Sequence, residues 1–268
     1  MKRIILVVVL LAVGGLVWAS DTNVAKVKAK DAATEDDAAL VDIKTALFSK
    51  DVRRGLVWNE DPVVKTDARI EYKNFGLEFS GVLDLTDYHN EEADGSFVNL
   101  DVQLDYTFHL PKKFDAQIGV ISYNYPEIDL DSTAEVFGKI SYKGMNNLTP
   151  YIASYVDVDE AEGVYSVLGV QYTYDLTGKS VFGKLKSAAL QSVLEVGYGS
   201  NNYHSYYVGV DDNSFANFKA SLGLDLGLTK NVSLTPSIEY NYLMDGEVRD
   251  EVQDHSNFVY GLTLGVKF

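Results

Sequence analysis

The chain has 268 residues, 46% of them hydrophobic and 12% aromatic, with a formal net charge of −16. That apolar content excludes intrinsic disorder, and the acidity leaves no basic patch for nucleic acid. The absence of Cys excludes disulfide scaffolds, thiolate metal sites and a cysteine nucleophile, while 18 Tyr and 21 Gly against 5 Pro favour strands.

Met1-Lys2-Arg3 gives a positive start, followed by an apolar run from Ile4 to Val17 eased by Gly14 and Gly15. Val17-Trp18-Ala19 then offers small or β-branched residues where a signal peptidase inspects. Residues 1–19 therefore read as a secretory signal. The run is shorter than the roughly 20 residues a membrane-spanning helix needs. Residues 20–50 are rich in Ala, Lys and Asp and contain neither Gly nor Pro. Thr34 and Asp37 suit a capping pair, and Leu40, Ile43 and Leu47 follow at helical spacing. The expectation is a helical or disordered periplasmic segment over 20–50, serving as a plug, a handle or a loose leader.

From residue 51 the period is two. In the last stretch Phe258, Tyr260, Leu262, Leu264, Val266 and Phe268 alternate with small or polar residues. A strand puts alternate side chains on opposite faces. The same alternation runs through 98–108, 216–226 and 232–242, and less clearly through 64–73, 76–86, 114–124, 133–143, 148–157, 163–175 and 189–199. A first strand near 46–57 is blurred by Arg53 and Arg54. Twelve strands of bilayer-crossing length result. A soluble sandwich would turn its apolar face inward and cover it. Here the polar face carries many ionic residues with Gly and Ser, and no helix is expected after residue 50 to cover the other face. The pattern therefore predicts an all-β fold over 51–268, a closed antiparallel transmembrane barrel with a wet lumen.

The connections fall into two sets. Five turns (74–76, 111–113, 143–147, 177–187 and 229–231) hold seven bases and no acid. The other six (59–63, 87–95, 125–132, 157–162, 200–213 and 244–256) hold twenty acids and one base, Arg249. Short turns belong to the periplasmic end of such barrels, so both termini are expected there. Tyr72, Phe114 and Tyr142 would form one aromatic girdle, and Phe97, Tyr123, Tyr155, Tyr198 and Tyr242 the other. Tyr203, Tyr206 and Tyr207 lie in a loop and could stack on sugars.

Projecting the polar faces inward lines the pore with Asp67, Glu71, Glu78, Asp84, Asp101, Asp105, Asp115, Glu135, Asp175, Glu195, Asp225 and Glu239. The matching bases are Arg69, Lys73, Lys139, Lys219 and Lys267, with Arg53 or Arg54 possible. Unpaired buried charges are very unfavourable, so these are expected to be hydrated or paired. Carboxylate rings bias a pore toward cations. Two local motifs fail their patterns, with loose divalent binding by the clustered loop carboxylates left open. His255-Ser256 places adjacent residues on opposite strand faces, and Asp157 to Gly163 has Ala161 and a late Gly where a calcium loop needs a ligand and an earlier Gly. No metal, cofactor or catalytic residue is expected.

The leader, the repeated alternation and the closing Tyr260 to Phe268 strand resemble bacterial outer-membrane β-barrels of a Gram-negative-type envelope. Arg53-Arg54-Gly55, Asn59-Glu60-Asp61-Pro62, Tyr72-Lys73-Asn74-Phe75 and Leu83-Asp84-Leu85 further resemble TorF-like putative porins. The resemblance implies outer-membrane lipid and the barrel-assembly machinery as partners, with Tyr260 and Phe268 in the assembly signal. The expected function is a porin-like passive channel for small hydrophilic solutes or cations. A structural or adhesive barrel with a blocked lumen and working acidic loops is the alternative.

Overall fold

In the computed structural model, period-two alternation becomes twelve long strands closed into one antiparallel barrel. The structure describes residues 38–86, 88, 95–179, 181–183 and 185–268, and residues 39–268 form one compact unit. The expected signal peptide and the start of the 20–50 segment lie outside the described residues.

The strands are β1 (Leu40–Phe48), β2 (Asp51–Arg53), β3 (Leu56–Asn59), β4 (Val63–Tyr72), β5 (Phe75–Asp84), β6 (Phe97–Leu110) and β7 (Phe114–Asn124). Then come β8 (Thr133–Tyr142), β9 (Leu148–Asp157), β10 (Val164–Asp175), β11 (Ser187–Gly199), β12 (Ser214–Gly227), β13 (Val232–Leu243) and β14 (Ser256–Lys267). β2 and β3 pair only with each other, and the other twelve make the wall. β1 closes it against β14, with Ile43 opposite Val266 and Leu47 opposite Leu262. At the seam the Val41 amide donates to the Phe268 carbonyl at 3.2 Å, and the Phe268 amide returns a bond at 2.9 Å.

The wall is inverted relative to a soluble domain. Ile118, Ile152 and Leu168 are more than half exposed, at 53%, 54% and 65%. They share their outward faces with Phe79, Val120, Leu222 and Leu262, all exposed. A continuous apolar exterior of this kind is stable in hydrocarbon and not in water. This is a membrane-spanning barrel.

The first strand corrects the sequence reading in two places. The expected helix through Leu40, Ile43 and Leu47 is β1, so the barrel begins at Leu40 rather than at residue 51. Ile43 and Leu47 are four residues apart, a spacing that keeps two side chains on one face of a helix and also on one face of a strand. Pairing decides between the two. β4 sets Ala68 beside Ile43 and Val64 beside Leu47, and a helix would leave both barrel edges open in lipid. The expected strand near 46–57 is instead the end of β1 followed by the β2–β3 hairpin. Arg54 and Gly55 form its turn with φ of 50° and 86°.

Two short helices stand where none was expected. They are α1 (Asn201–Val208) and α2 (Gly246–Glu251), both inside long acidic loops. Their caps are local. Ser200 Oγ accepts from the Tyr203 amide, Gly209 closes α1 at φ 75°, and the Asp245 carboxylate accepts from the Glu247 and Val248 amides. The Val248 amide holds the Asp245 carboxyl below its ordinary value. Helical periodicity is not readable over six or eight residues, so only capping residues marked these helices.

Inward glycines make room for inward rings on the next strand. Gly119 pairs with Phe137, Gly169 with Tyr151 and Gly261 with Phe48. A Cβ on Gly119 would stand 2.5 Å from the Leu104 carbonyl oxygen and 2.6 Å from the Phe137 ring. Outward Gly138 has nothing within 4 Å of the same position. Gly119→Val should therefore lower the urea midpoint of the barrel in micelles, by about 1–3 kcal/mol of over-packing. Gly138→Ala should leave it unchanged.

Candidate functional site: the lumen and its inward hairpin

The β2–β3 hairpin connects the first two wall strands at the acidic-loop end and folds into the barrel. Its contacts reach around the wall. Asp51 binds Lys65 of β4 at 2.5 Å, and Arg53 binds Asp51 at 2.9 Å. Asp51 is 1% exposed as a side chain, so its charge is tolerable only because two cations flank it. A Cβ on Gly55 would lie 2.6 Å from Asn217 of β12 and 2.7 Å from Leu243 of β13. The hairpin turn therefore needs Gly55 for space as well as for its positive φ.

Arg54 is the centre of the site. Its two guanidinium nitrogens bind the two Glu135 oxygens at 2.6 and 2.7 Å, a bidentate fork. The Glu135 side chain is 2% exposed. The Tyr123 hydroxyl donates to Glu135 at 2.7 Å. Rings of Tyr155, Tyr165 and Tyr203 surround the guanidinium at 4.9, 4.5 and 5.7 Å from their centroids. Arginine suits this position because its planar, weakly hydrated cation both forks a carboxylate and stacks on rings.

Tyr123 and Tyr155 were expected in the outer girdle. The structure places both inside, against Glu135 and Arg54. Parity was the available signal. Tyr123 shares its face with Asp115, and Tyr155 shares its face with Tyr151. An aromatic near a strand end looks like a girdle residue whichever way it points. Tyr72, Phe97, Phe114 and Tyr198 are exposed, on the outer face.

Below the hairpin the lumen is a set of compensated charges. Arg69 is held by three carboxylates: Asp105 in a fork at 2.9 and 3.0 Å, Glu71 at 2.8 Å and Glu78 at 3.2 Å. Lys219 pairs with Glu195 at 2.5 Å, and Tyr151 also donates to Glu195. Lys139 lies 4.3 Å from the Tyr151 ring centroid. Lys143 and His109 engage Asp115 at the basic-turn end. Lys44 and Lys267 both approach Asp42, at 3.7 and 3.3 Å.

Other residues stay without a base. Asp101 accepts from Asn99 at 2.7 Å, Asp225 from Thr235 at 3.1 Å and Glu239 from Asn241 at 2.8 Å. Among the described residues these three and Asp67 form no ion pair. Asp84 and Asp175 sit at strand ends and organise turns. Asp84 accepts from the Thr86 amide at 3.0 Å and Asp175 from the Thr177 amide at 2.7 Å. Lys44 and Lys65 were not expected in the lumen. Lys65 shares the parity of Asp67 and Arg69, whereas Lys44 was hidden by the helical reading of its strand.

The remaining space is polar. One cavity of about 380 Å³ lies between the hairpin bases, Lys65, Lys219 and Glu239. Another of about 250 Å³ is lined by Arg69, Glu71, Asp115, Lys139 and Lys143. Cavities of this size with many donors and acceptors hold water. The Asp157 loop and the His255–Ser256 pair make local contacts. Asp157 ties its own loop, accepting from the amides of Asp159, Ala161 and Glu162 at 3.0, 3.1 and 3.3 Å. Ser256 meets the Tyr240 hydroxyl at 3.2 Å, and His255 packs on the Tyr242 ring.

A closed transmembrane barrel of twelve strands with a charged lumen is the architecture of outer-membrane β-barrel proteins. Known structures agree at that level. The chain is similar to the KdgM porin at a TM-score of 0.51 and 11% identity, covering 85% of this chain and 99% of that one. It is similar to LpxR from Salmonella typhimurium at a TM-score of 0.51 and 10% identity, covering 84% and 99%. The NanC porin follows at 0.48 and 14% identity, covering 85% and 100%. No family model matches the chain, and no curated protein matches it. The likeness is one of fold.

The Arg54–Glu135 pair is the testable core of this site. Glu135→Leu leaves a buried guanidinium without its anion and should cost about 3–5 kcal/mol of stability. Arg54→Met should cost a similar amount, and the double variant should lose less than the two together. Denaturant unfolding of the four proteins in micelles measures that coupling.

Proposed function

We propose that the protein is a porin-like passive diffusion channel of the outer membrane, for small hydrophilic solutes and with a mild cation preference. The observation that carries this reading is a lumen lined by charged side chains and polar cavities beneath an inward-folded hairpin. Apolar packing would fill the space of a structural barrel at lower desolvation cost. The hairpin then acts as the constriction, with Arg53 and Arg54 on it and Asp101 and Asp67 on the wall. Those two carboxylates, with Asp225 and Glu239, supply the net negative field that favours cations. Passive diffusion has no chemical step, and the reading assigns no catalytic residue.

The proposed orientation sets both termini and the basic turns in the periplasm and the acidic loops outside. Tyr260 and Phe268 face lipid on the closing strand, at 59% and 64% exposure, where the assembly machinery would read them. Deleting Phe268 should lower the folded, heat-modifiable fraction in the outer membrane, and normal insertion would remove these residues from the assembly role.

A second reading is a structural or adhesive barrel. The Arg54–Glu135 fork and its tyrosines favour it, because they pack the loop end of the lumen. Planar-bilayer recording separates the two. The channel reading expects discrete steps and a cation-selective reversal potential in a KCl gradient. Replacing 51–59 by a short Gly-Ser linker should raise unit conductance severalfold. Silence from both proteins would favour the structural barrel, and anion selectivity would overturn the field assignment.

A further inference from the structure

The acidic-loop end carries a cavity of about 460 Å³, lined mainly by loop residues and reaching Leu243 of β13. That is the size range of small-molecule sites. Its walls come from several connections and from β3, so a molecule seated there would rest on the hairpin. Four rings contribute: Tyr88 from the loop after β5, and a touching group made of Trp58 of β3 with Tyr206 and Tyr207 of α1. Within that group Tyr207 meets Trp58 edge-on at 6.1 Å and Tyr206 meets Tyr207 edge-on at 4.9 Å. Aliphatic side chains such as Leu130 and Val252 complete the apolar surface.

The fixed charges of this cavity have one sign. Among the described residues Glu60, Asp129 and Asp254 line it, and no Lys or Arg does. Arg53 lies 5.3 Å from the Trp58 ring centroid but is outside the cavity lining and is engaged by Asp51. The combination is selective. Aromatic faces and carboxylates both attract positive charge. Apolar walls reward a hydrocarbon body that a hydrated metal ion lacks. An anion meets three carboxylates, and a neutral sugar carries no charge for them to attract.

We propose that this cavity is a binding site for a small organic cation, an ammonium or quaternary ammonium group on an apolar or aromatic body. The site stands apart from conduction: binding here requires the folded loops and not an open lumen.

The test is calorimetric titration of the full chain, folded in a polyoxyethylene detergent that carries neither choline nor sugar. Phenyltrimethylammonium is the probe, with benzyl alcohol, benzoate and glucose as neutral, anionic and sugar comparisons. The expected result is saturable binding of the cation, about tenfold tighter than benzyl alcohol and without detectable benzoate binding. The Glu60→Gln/Asp254→Asn double variant should weaken the cation about 3- to 10-fold and leave benzyl alcohol unchanged. Tyr206→Leu should also weaken the cation, while the distant Asp175→Asn should not. Equal binding of benzyl alcohol, retained affinity in the double variant, binding of glucose but not the cation, or no saturable binding would each overturn the proposal. A heat-modifiability gel on every variant confirms that the barrel is folded before titration.

Discussion

The structure depends first on backbone hydrogen bonding in a medium without water. Inside hydrocarbon every unpaired amide and carbonyl costs several kcal/mol, so a sheet survives only if it has no edges. Closure of β1 on β14 meets that demand, and the exchange between Val41 and Phe268 carries it to the last residue of the chain. Once the ring is closed, side-chain parity has only two destinations. Outward positions must be apolar, as Ile118, Ile152 and Leu168 are. Inward positions inherit whatever the lumen is for.

Closure also explains which parts of the fold were legible in sequence. The strands of the wall announce themselves because lipid enforces alternation along each of them. The turn and loop sets were legible through charge. What failed was local. β1 carries Leu40, Ile43 and Leu47 at spacings compatible with helix or strand, and only its two partners decide. The hairpin was illegible for a related reason. Arg53, Arg54 and Gly55 break alternation, and a break reads equally as a poor strand or as a segment leaving the wall. Tyr123 and Tyr155 were assigned to the girdle because their positions near strand ends matched it, although their parity matched the lumen.

The electrostatic meaning of the inward-projected carboxylates changes with the hairpin. Taken alone, the wall projects a strong excess of negative charge. Folding 51–59 inward delivers Arg53 and Arg54 to it, and Lys44 and Lys65 add to the count. Arg69 gathers three acids, and Glu135 is fully engaged. Among the described residues the projected acids without an ion pair contract to Asp67, Asp101, Asp225 and Glu239, with Asp84 and Asp175 at the strand ends. A lumen of this kind has a weaker and more local field than its composition implies. Selectivity then rests on a few carboxylates that make no ion pair among the described residues.

The hairpin could not be held by apolar packing alone, since the inner wall is polar by construction. It is held by charge pairs at two levels, Asp51 with Lys65 and Arg53, and Arg54 with Glu135. Buried pairs are poor sources of net stability but are costly to break one-sidedly. That asymmetry suits an element that must occupy one position in a wet lumen. A register slip would leave Arg54 or Glu135 buried and alone. Gly55 then sets the close approach to Asn217 and Leu243, and the rings of Tyr155, Tyr165 and Tyr203 surround the guanidinium. Specific placement of the hairpin thus follows from the penalty on misplacing its charges, more than from the strength of any contact it makes.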